Sequence, residues 1–145
     1  MPACTNSPNV TWGQPPYYVH AMIANTSQPN ACEVSMTSSD HATTNEKGVV
    51  SAQVSDDGGT VVVRFVNTRP DLILLEVAVE GGNGKVTQNA AAAASMWLLH
   101  SAQLSDSNTP ESPTFVSPVV TKVGDLGKGV AVPGNAFVIV EFPSQ

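Results

Sequence analysis

Catalysis or metal binding would have to be carried by a short set of side chains. The histidines are His20, His41 and His100, and the cysteines are Cys4 and Cys32. No two histidines are spaced as in HExxH, and the cysteines form no CxxC, so the spacing provides no metal site. A serine nucleophile needs a sharp turn of the GxSxG type, which is absent. No phosphate loop is present either, because the glycines at 58–59, 81–84 and 124–129 lie between strand-like segments and read as turns. Glycoside hydrolysis needs two carboxyl groups placed across a sugar ring. Asp56 and Asp57 fall in a turn, where they are solvated. Glu76 and Glu80 alternate along one strand, as on any wet sheet face. Asn45-Glu46 has the residue types of an acid/base pair but runs into Lys47-Gly48 in a turn. No catalytic residue is assigned, and no cofactor is implied.

Aromatic platforms for sugar are the other option. Phe65, Trp97, Phe137 and Phe142 fall on the apolar phase of strands and belong to the core. Trp12, Tyr17 and Tyr18 cluster near the start of the chain. They are the candidate glycan contacts if exposed, and otherwise pin the neighbouring helix to a sheet. Two N-x-S/T triplets, at Asn9 and Asn25, are candidate glycosylation sites. Cys4 and Cys32 fit two states. One is a disulfide closing a loop of about 28 residues, which stabilises by about 3 kcal/mol. The other is a pair of free thiols. The sequons, the even cysteine count and the scarcity of lysine point to an extracellular protein. Met1-Pro-Ala-Cys-Thr-Asn lacks the charged start and apolar core of a signal peptide, so the reading requires a removed signal or a longer parent chain.

The elements that position these residues are small and mostly extended. The chain has 145 residues, room for one domain, with 41% hydrophobic and 12% charged residues. That composition is not the one of a disordered chain. The net charge is −6, and the six basic residues are scattered, which excludes the phosphate footprint of a nucleic-acid binder. No apolar run reaches about 18 residues, so no helix crosses a bilayer, and no polybasic cluster draws the chain to one.

A polar lead covers 1–13. Pro16 suits the first turn of a helix, and residues 16–25 form one, with Tyr17, Ala21 or Met22, and Ala24 recurring at helical spacing. So short a helix must dock on something. With a Ser/Thr/Asn-rich connection it makes up 14–47. From 48 to 145 the period is two. GVVSAQVS (48–55) and TVVVRFVN (60–67), alternating around Arg64, flank Asp56-Asp57-Gly58-Gly59 as a β-hairpin. LILLEVAVE (72–80) is a third strand, and Lys85–Thr87 continues the sheet past a glycine turn. Residues 94–100 and 119–123 are strands on either side of a long loop, 104–118. The last strand runs over 135–142. This is a mostly β chain: an antiparallel β-sandwich, jelly-roll-like, with one short N-terminal helix.

Three segments resemble one family in order. Trp12-Gly-Gln-Pro-Pro-Tyr-Tyr-Val-His-Ala-Met22 resembles the tract opening the last barrel helix of glycoside hydrolase family 51 α-L-arabinofuranosidases. The hairpin from Val50 to Asn67 is similar to the strands that follow there. Leu104-Ser-Asp-Ser-Asn-Thr-Pro-Glu-Ser-Pro-Thr-Phe-Val-Ser-Pro118 resembles the family's late loop before the terminal strand Ala136–Phe142. The resemblance covers about 12–142. It implies the C-terminal sandwich beside a (β/α)8 barrel, working outside the cell on arabinose-bearing polysaccharides. The barrel, with its acid/base and nucleophile glutamates, is missing. The expected role is therefore an accessory domain that braces a barrel or contacts glycan. The alternative is a freestanding glycan-binding or self-assembling module. Expected partners are the barrel, arabinose-containing glycans, or a second copy joined through the 14–24 helix and the sheet edges.

Overall fold

The fold was analysed on a computed structural model that describes residues 4–7, 10–37, 48–80 and 94–144. Among these residues ten strands and one α-helix follow in chain order. They are β1 (Cys4–Ser7), β2 (Val10–Trp12), α1 (Pro15–Thr26), β3 (Asn30–Cys32), β4 (Val49–Val54), β5 (Thr60–Asn67), β6 (Ile73–Leu75), β7 (Ala94–Leu99), β8 (Val119–Val123), β9 (Val130–Val132) and β10 (Ala136–Pro143). The main sheet has six antiparallel strands in the order β3-β4-β5-β10-β7-β8. A ribbon of β6 and β9 forms the facing layer, and β1 and β2 pair separately. The architecture is an antiparallel β-sandwich with one helix. The main sheet begins at Asn30, upstream of the hairpin.

The central pair explains the layering. Every residue of β5 between Val61 and Phe65 is buried, and β10 is nearly as enclosed. A strand packed on one face alternates; a strand covered on both reads as a continuous apolar run. Val61, Val63, Phe65, Val138, Val140 and Phe142 face the ribbon, where Val130 and Val132 close the main core. Val62 and Ile139 face the other way, and Met22 of α1 packs on them with Leu99 and Val116. Tyr18, Val19 and Ile23 flank Met22, so the docking face of α1 is 18/19–22/23–26. The spacing had placed Tyr17 and Ala24 on that face. They point outward, because the register is set by Met22 over Ile139. The helix is thus covered by its own sheet.

Both ends of α1 are satisfied without ordinary caps. Pro15 and Pro16 fill the first two positions, so two of the four orphan N–H groups do not exist. The N–H of Tyr17 reaches the carbonyl of Gln14 at 2.9 Å. At the other end the hydroxyls of Thr26 and Ser27 donate to the carbonyls of Met22 and Ile23, at 2.8 and 2.9 Å. Arg64, 8% exposed on β5, donates from Nη2 to the carbonyl of Thr26 at 3.3 Å and from Nη1 to Oε1 of Gln53 at 2.7 Å. A cation below a helix C-terminus meets the negative end of the dipole. Burial pushes the guanidinium pKa below its ordinary value.

The third strand is shorter than the apolar run 72–80 suggests. The strand itself is Ile73–Leu75, because its partner β9 is three residues long, and past it the N–H of Val77 bonds to the carbonyl of Leu126 at 3.3 Å. Glu76 and Glu80 are exposed beyond it. Lys85–Thr87 lies outside the described residues. In the hairpin turn, the hydroxyl of Ser55 and the N–H of Gly59 both donate to Asp57, at 2.5 and 2.9 Å, and Gly58 has φ +70°. These donors hold the Asp57 carboxyl below its ordinary pKa.

Asn67, fully buried at the end of β5, joins two corners. Its amide N–H groups donate to the carbonyls of Asp71 and Pro133, each at 2.9 Å, and its Oδ1 accepts from the N–H of Arg69 at 3.1 Å. Gly134 is pressed against the same corner: a Cβ there would lie 2.0 Å from the carbonyl oxygen of Pro70. Gly134→Ala should therefore destabilise by about 1–3 kcal/mol through forced separation of the corners. Ile139→Ala, which opens a cavity under α1, should cost about 2–5 kcal/mol. Urea denaturation of both variants checks the pair; a Gly134→Ala protein as stable as the parent would remove the close-approach argument.

Candidate functional site

Trp12 is not a surface platform. It is 6% exposed, and its indole Nε1–H donates to the backbone carbonyl of Asn108 at 3.0 Å. Tyr17 is the aromatic of the trio that reaches solvent, at 48% exposure. Its ring meets that of half-buried Tyr18 edge to face, with centroids 5.5 Å apart. The three are therefore not one sugar-binding surface. Trp12 anchors the lead, Tyr18 packs under α1, and Tyr17 lies at the surface against the edge of Tyr18. Cys32 is a free, half-buried thiol on the edge strand β3, so the Cys4–Cys32 bridge is not formed. Asn25 is exposed in the last turn of α1, with Ser27 exposed beside it. Nothing of the Asn9 side chain is described.

The carboxylates stay apart. Asp56 and Asp57 are exposed in the hairpin turn, and Glu76 and Glu80 are exposed past β6. His20 lies on the outer face of α1, and His100 follows β7, exposed. His41 and Asn45-Glu46 are outside the described residues. Among the described residues no group of three or more His, Cys, Asp or Glu could hold a metal ion.

Around Asn108 the structure converges instead. This residue is 3% exposed and joins the lead, α1 and the 104–118 loop. Its Nδ2 donates to the carbonyls of Gly13 at 2.6 Å and Val116 at 2.9 Å. Its Oδ1 accepts from the N–H of Val116 at 2.6 Å. Its backbone pairs with the Gln14 side chain in both directions, at 2.8 and 3.2 Å. The Gln14 amide is thereby used on the loop rather than as a helix cap. Asn108 had been legible only as part of the family-like loop. A buried asparagine and a turn asparagine have the same letter and the same neighbours.

Beside this knot lies a cleft of about 430 Å³. Pro15 and Val19 of α1, Leu99 of β7, Val116 and Phe137 of β10 form its apolar walls. His100, Gln103 and Asn135 stand at its rim, with Leu104 84% exposed. Ser101 Oγ–H donates to Asp106 Oδ2, which also accepts from the N–H of Gln103 at 3.2 Å. Serine and carboxylate bond directly, with no imidazole between them, so this is a loop clasp rather than a nucleophile–base relay.

A sandwich clasped at its corners, with one helix docked on its own sheet, defines a mostly β module. Residues 1–135 match the family described as "Alpha-L-arabinofuranosidase C-terminal domain", and the chain belongs to that family. Solved structures share the fold. One arabinofuranosidase crystal structure aligns with a TM-score of 0.74 at 18% identity, over 97% of this chain and 31% of that one. The family 51 arabinofuranosidase of Xanthomonas axonopodis pv. citri aligns at 0.62 and 21% identity, over 91% of this chain and 27% of its own. The thermostable family 51 enzyme of Thermotoga petrophila RKU-1 aligns at 0.54 and 21% identity, over 65% and 18%. The chain thus spans less than a third of each of these enzymes. No curated protein matches it.

Asn108→Ala removes three side-chain hydrogen bonds and leaves the buried Val116 N–H without a partner. Each unsatisfied buried group costs about 1–3 kcal/mol. The expected loss is roughly 2–4 kcal/mol, with a red shift of Trp12 emission in a Trp97→Phe background. A stable variant with unshifted emission would show that the lead is held by other contacts.

Proposed function

We propose that this chain is the non-catalytic accessory sandwich of an α-L-arabinofuranosidase, bracing the catalytic barrel. Family membership and the small share of each relative that the chain spans support this reading. The observation that carries it is an unguarded flank. Phe115, Val119 and Val120 are each more than half exposed, on the 104–118 loop and the edge strand β8. Successive strand residues point to opposite faces, so Val119 and Val120 leave both faces of that edge open. An exposed aliphatic edge strand is a template for a partner. We assign it to the barrel, and place the work on arabinose-bearing glycans, with contact at the barrel rim. We place the chain outside the cell on the strength of the sequons and the scarcity of lysine alone, since Cys32 is a free thiol.

A second reading, self-assembly of a freestanding module, rests on the same flank. The α1 face proposed for pairing is spent on the chain's own sheet, which leaves β8 as the edge that a second copy would use.

Hydrolysis of an aryl α-L-arabinofuranoside by the purified chain, with gel filtration of the same sample, tests both. The expected result is no turnover and a monomer. Turnover abolished by replacing one carboxylate would overturn the accessory role. A dimer dispersed by Val120→Lys would transfer the flank to self-assembly.

A further inference from the structure

We propose that the cleft between α1, the 100–106 loop and the start of β10 is a binding site for a neutral sugar of one or two residues. Its volume, about 430 Å³, lies within the range of small-ligand sites. Such sites combine apolar walls with a few placed polar groups. Here Val19, Leu99 and Phe137 supply a wall suited to the C–H face of a sugar ring. Three polar side chains at the rim are left without a partner among the described residues. The imidazole of His100 and the side-chain amides of Gln103 and Asn135 make no hydrogen bond to the described residues. Together they offer both donors and acceptors, the complement of a hydroxyl-rich ligand.

Charge narrows the ligand class. No lysine or arginine lines the cleft, so an anion would find no permanently charged partner there, and the donors are the His100 imidazole and two neutral amides. Its one acidic residue, Asp106, has Oδ2 engaged by Ser101 and by the N–H of Gln103. The site is also held in shape. Asn135 sits at φ +53°, with its N–H donating to the carbonyl of Arg69 at 2.8 Å. Asn67 clasps the strand end on one side and Asn108 clasps the loop on the other. A ligand therefore meets a site whose backbone is already ordered, which lowers the cost of binding.

The test is an amide NMR titration of the intact chain with arabinose, xylose, glucose and cellobiose, and with glucuronate as the charged control. The expected result is saturable shifts at residues 99–106 and 135–137 for at least one neutral sugar, and none for glucuronate. His100→Ala and Asn135→Gly should each weaken binding roughly fivefold, the loss of one hydrogen bond. Asn135→Gly keeps the positive φ without strain. Leu104→Arg, at a fully wet position, cannot unfold the core and should block the cleft. Tyr17→Ala, outside the cleft, should leave affinity unchanged. The proposal fails if no neutral sugar gives saturable shifts, if shifts map elsewhere, if glucuronate binds as well, or if Leu104→Arg binds as the parent does.

Discussion

The β5–β10 pair needs cover on two faces, and most of the molecule follows from that. Val61, Val63 and Phe65 require one apolar layer; Val62, together with Ile139 of β10, requires another. The β6–β9 ribbon supplies the first with alternating short strands whose inward residues are Val130 and Val132. Only α1 and Val116 of the long loop are available for the second. A 12-residue helix has little stability of its own in water. It persists because the sheet cannot leave Val62 and Ile139 wet. Helix and sheet are therefore one cooperative unit, and the short connection from α1 to β3, residues 27–29, lets the helix lie back across the strands.

Covering both faces buries polar groups too, and these fix the geometry more tightly than the apolar contacts do. Hydrophobic contact is non-directional. Three buried polar side chains supply direction: Arg64 under the end of α1, Asn67 at the corner of β5, and Asn108 in the long loop. Each answers backbone groups that would otherwise be orphaned by a helix end or a chain reversal. Leaving such groups unmade costs more than making them gains. The three side chains thus select one arrangement of helix, corners and loop over others that would bury a similar apolar area. Among the described residues, the Nε of Arg64 is the buried side-chain polar atom that remains without a partner. Its position against a helix dipole offsets part of that cost.

The legible and illegible parts divide along this line. The hairpin was readable over 49–67 because period two and an Asp-Gly-Gly turn agree, and the terminal strand because five apolar residues, 136–140, run together with Phe142 just beyond. The start of α1 was readable from Pro15-Pro16. What failed was whatever depended on the partner. The face of α1 was misplaced because Tyr17 and Tyr18 are equivalent by composition, and only Ile139 across the interface distinguishes them. The run 72–80 was read as too long, since its apolar pattern continues where its partner strand stops. Trp12 could be read as platform or anchor until Asn108 was seen beneath it. Asn67 and Asn108 gave no signal, for a buried asparagine is recognised by the carbonyls around it, not by its neighbours in sequence.

The same logic bears on what such a domain contributes to an enzyme. Asp56, Asp57, Glu76 and Glu80 are exposed in a turn and past a strand end, and among the described residues no group of three or more His, Cys, Asp or Glu gathers at one place. A two-faced core with polar clasps at its corners is suited to stiffness. A stiff body can hold a flank at constant orientation against a larger partner, and it can keep a shallow cleft open without a ligand. Both uses draw on the clasps at Asn67 and Asn108, since the first orders the corner beside β10 and the second ties the long loop to the helix entrance. The rigidity that the proposed bracing of a barrel requires is the same rigidity on which the proposed cleft site would draw.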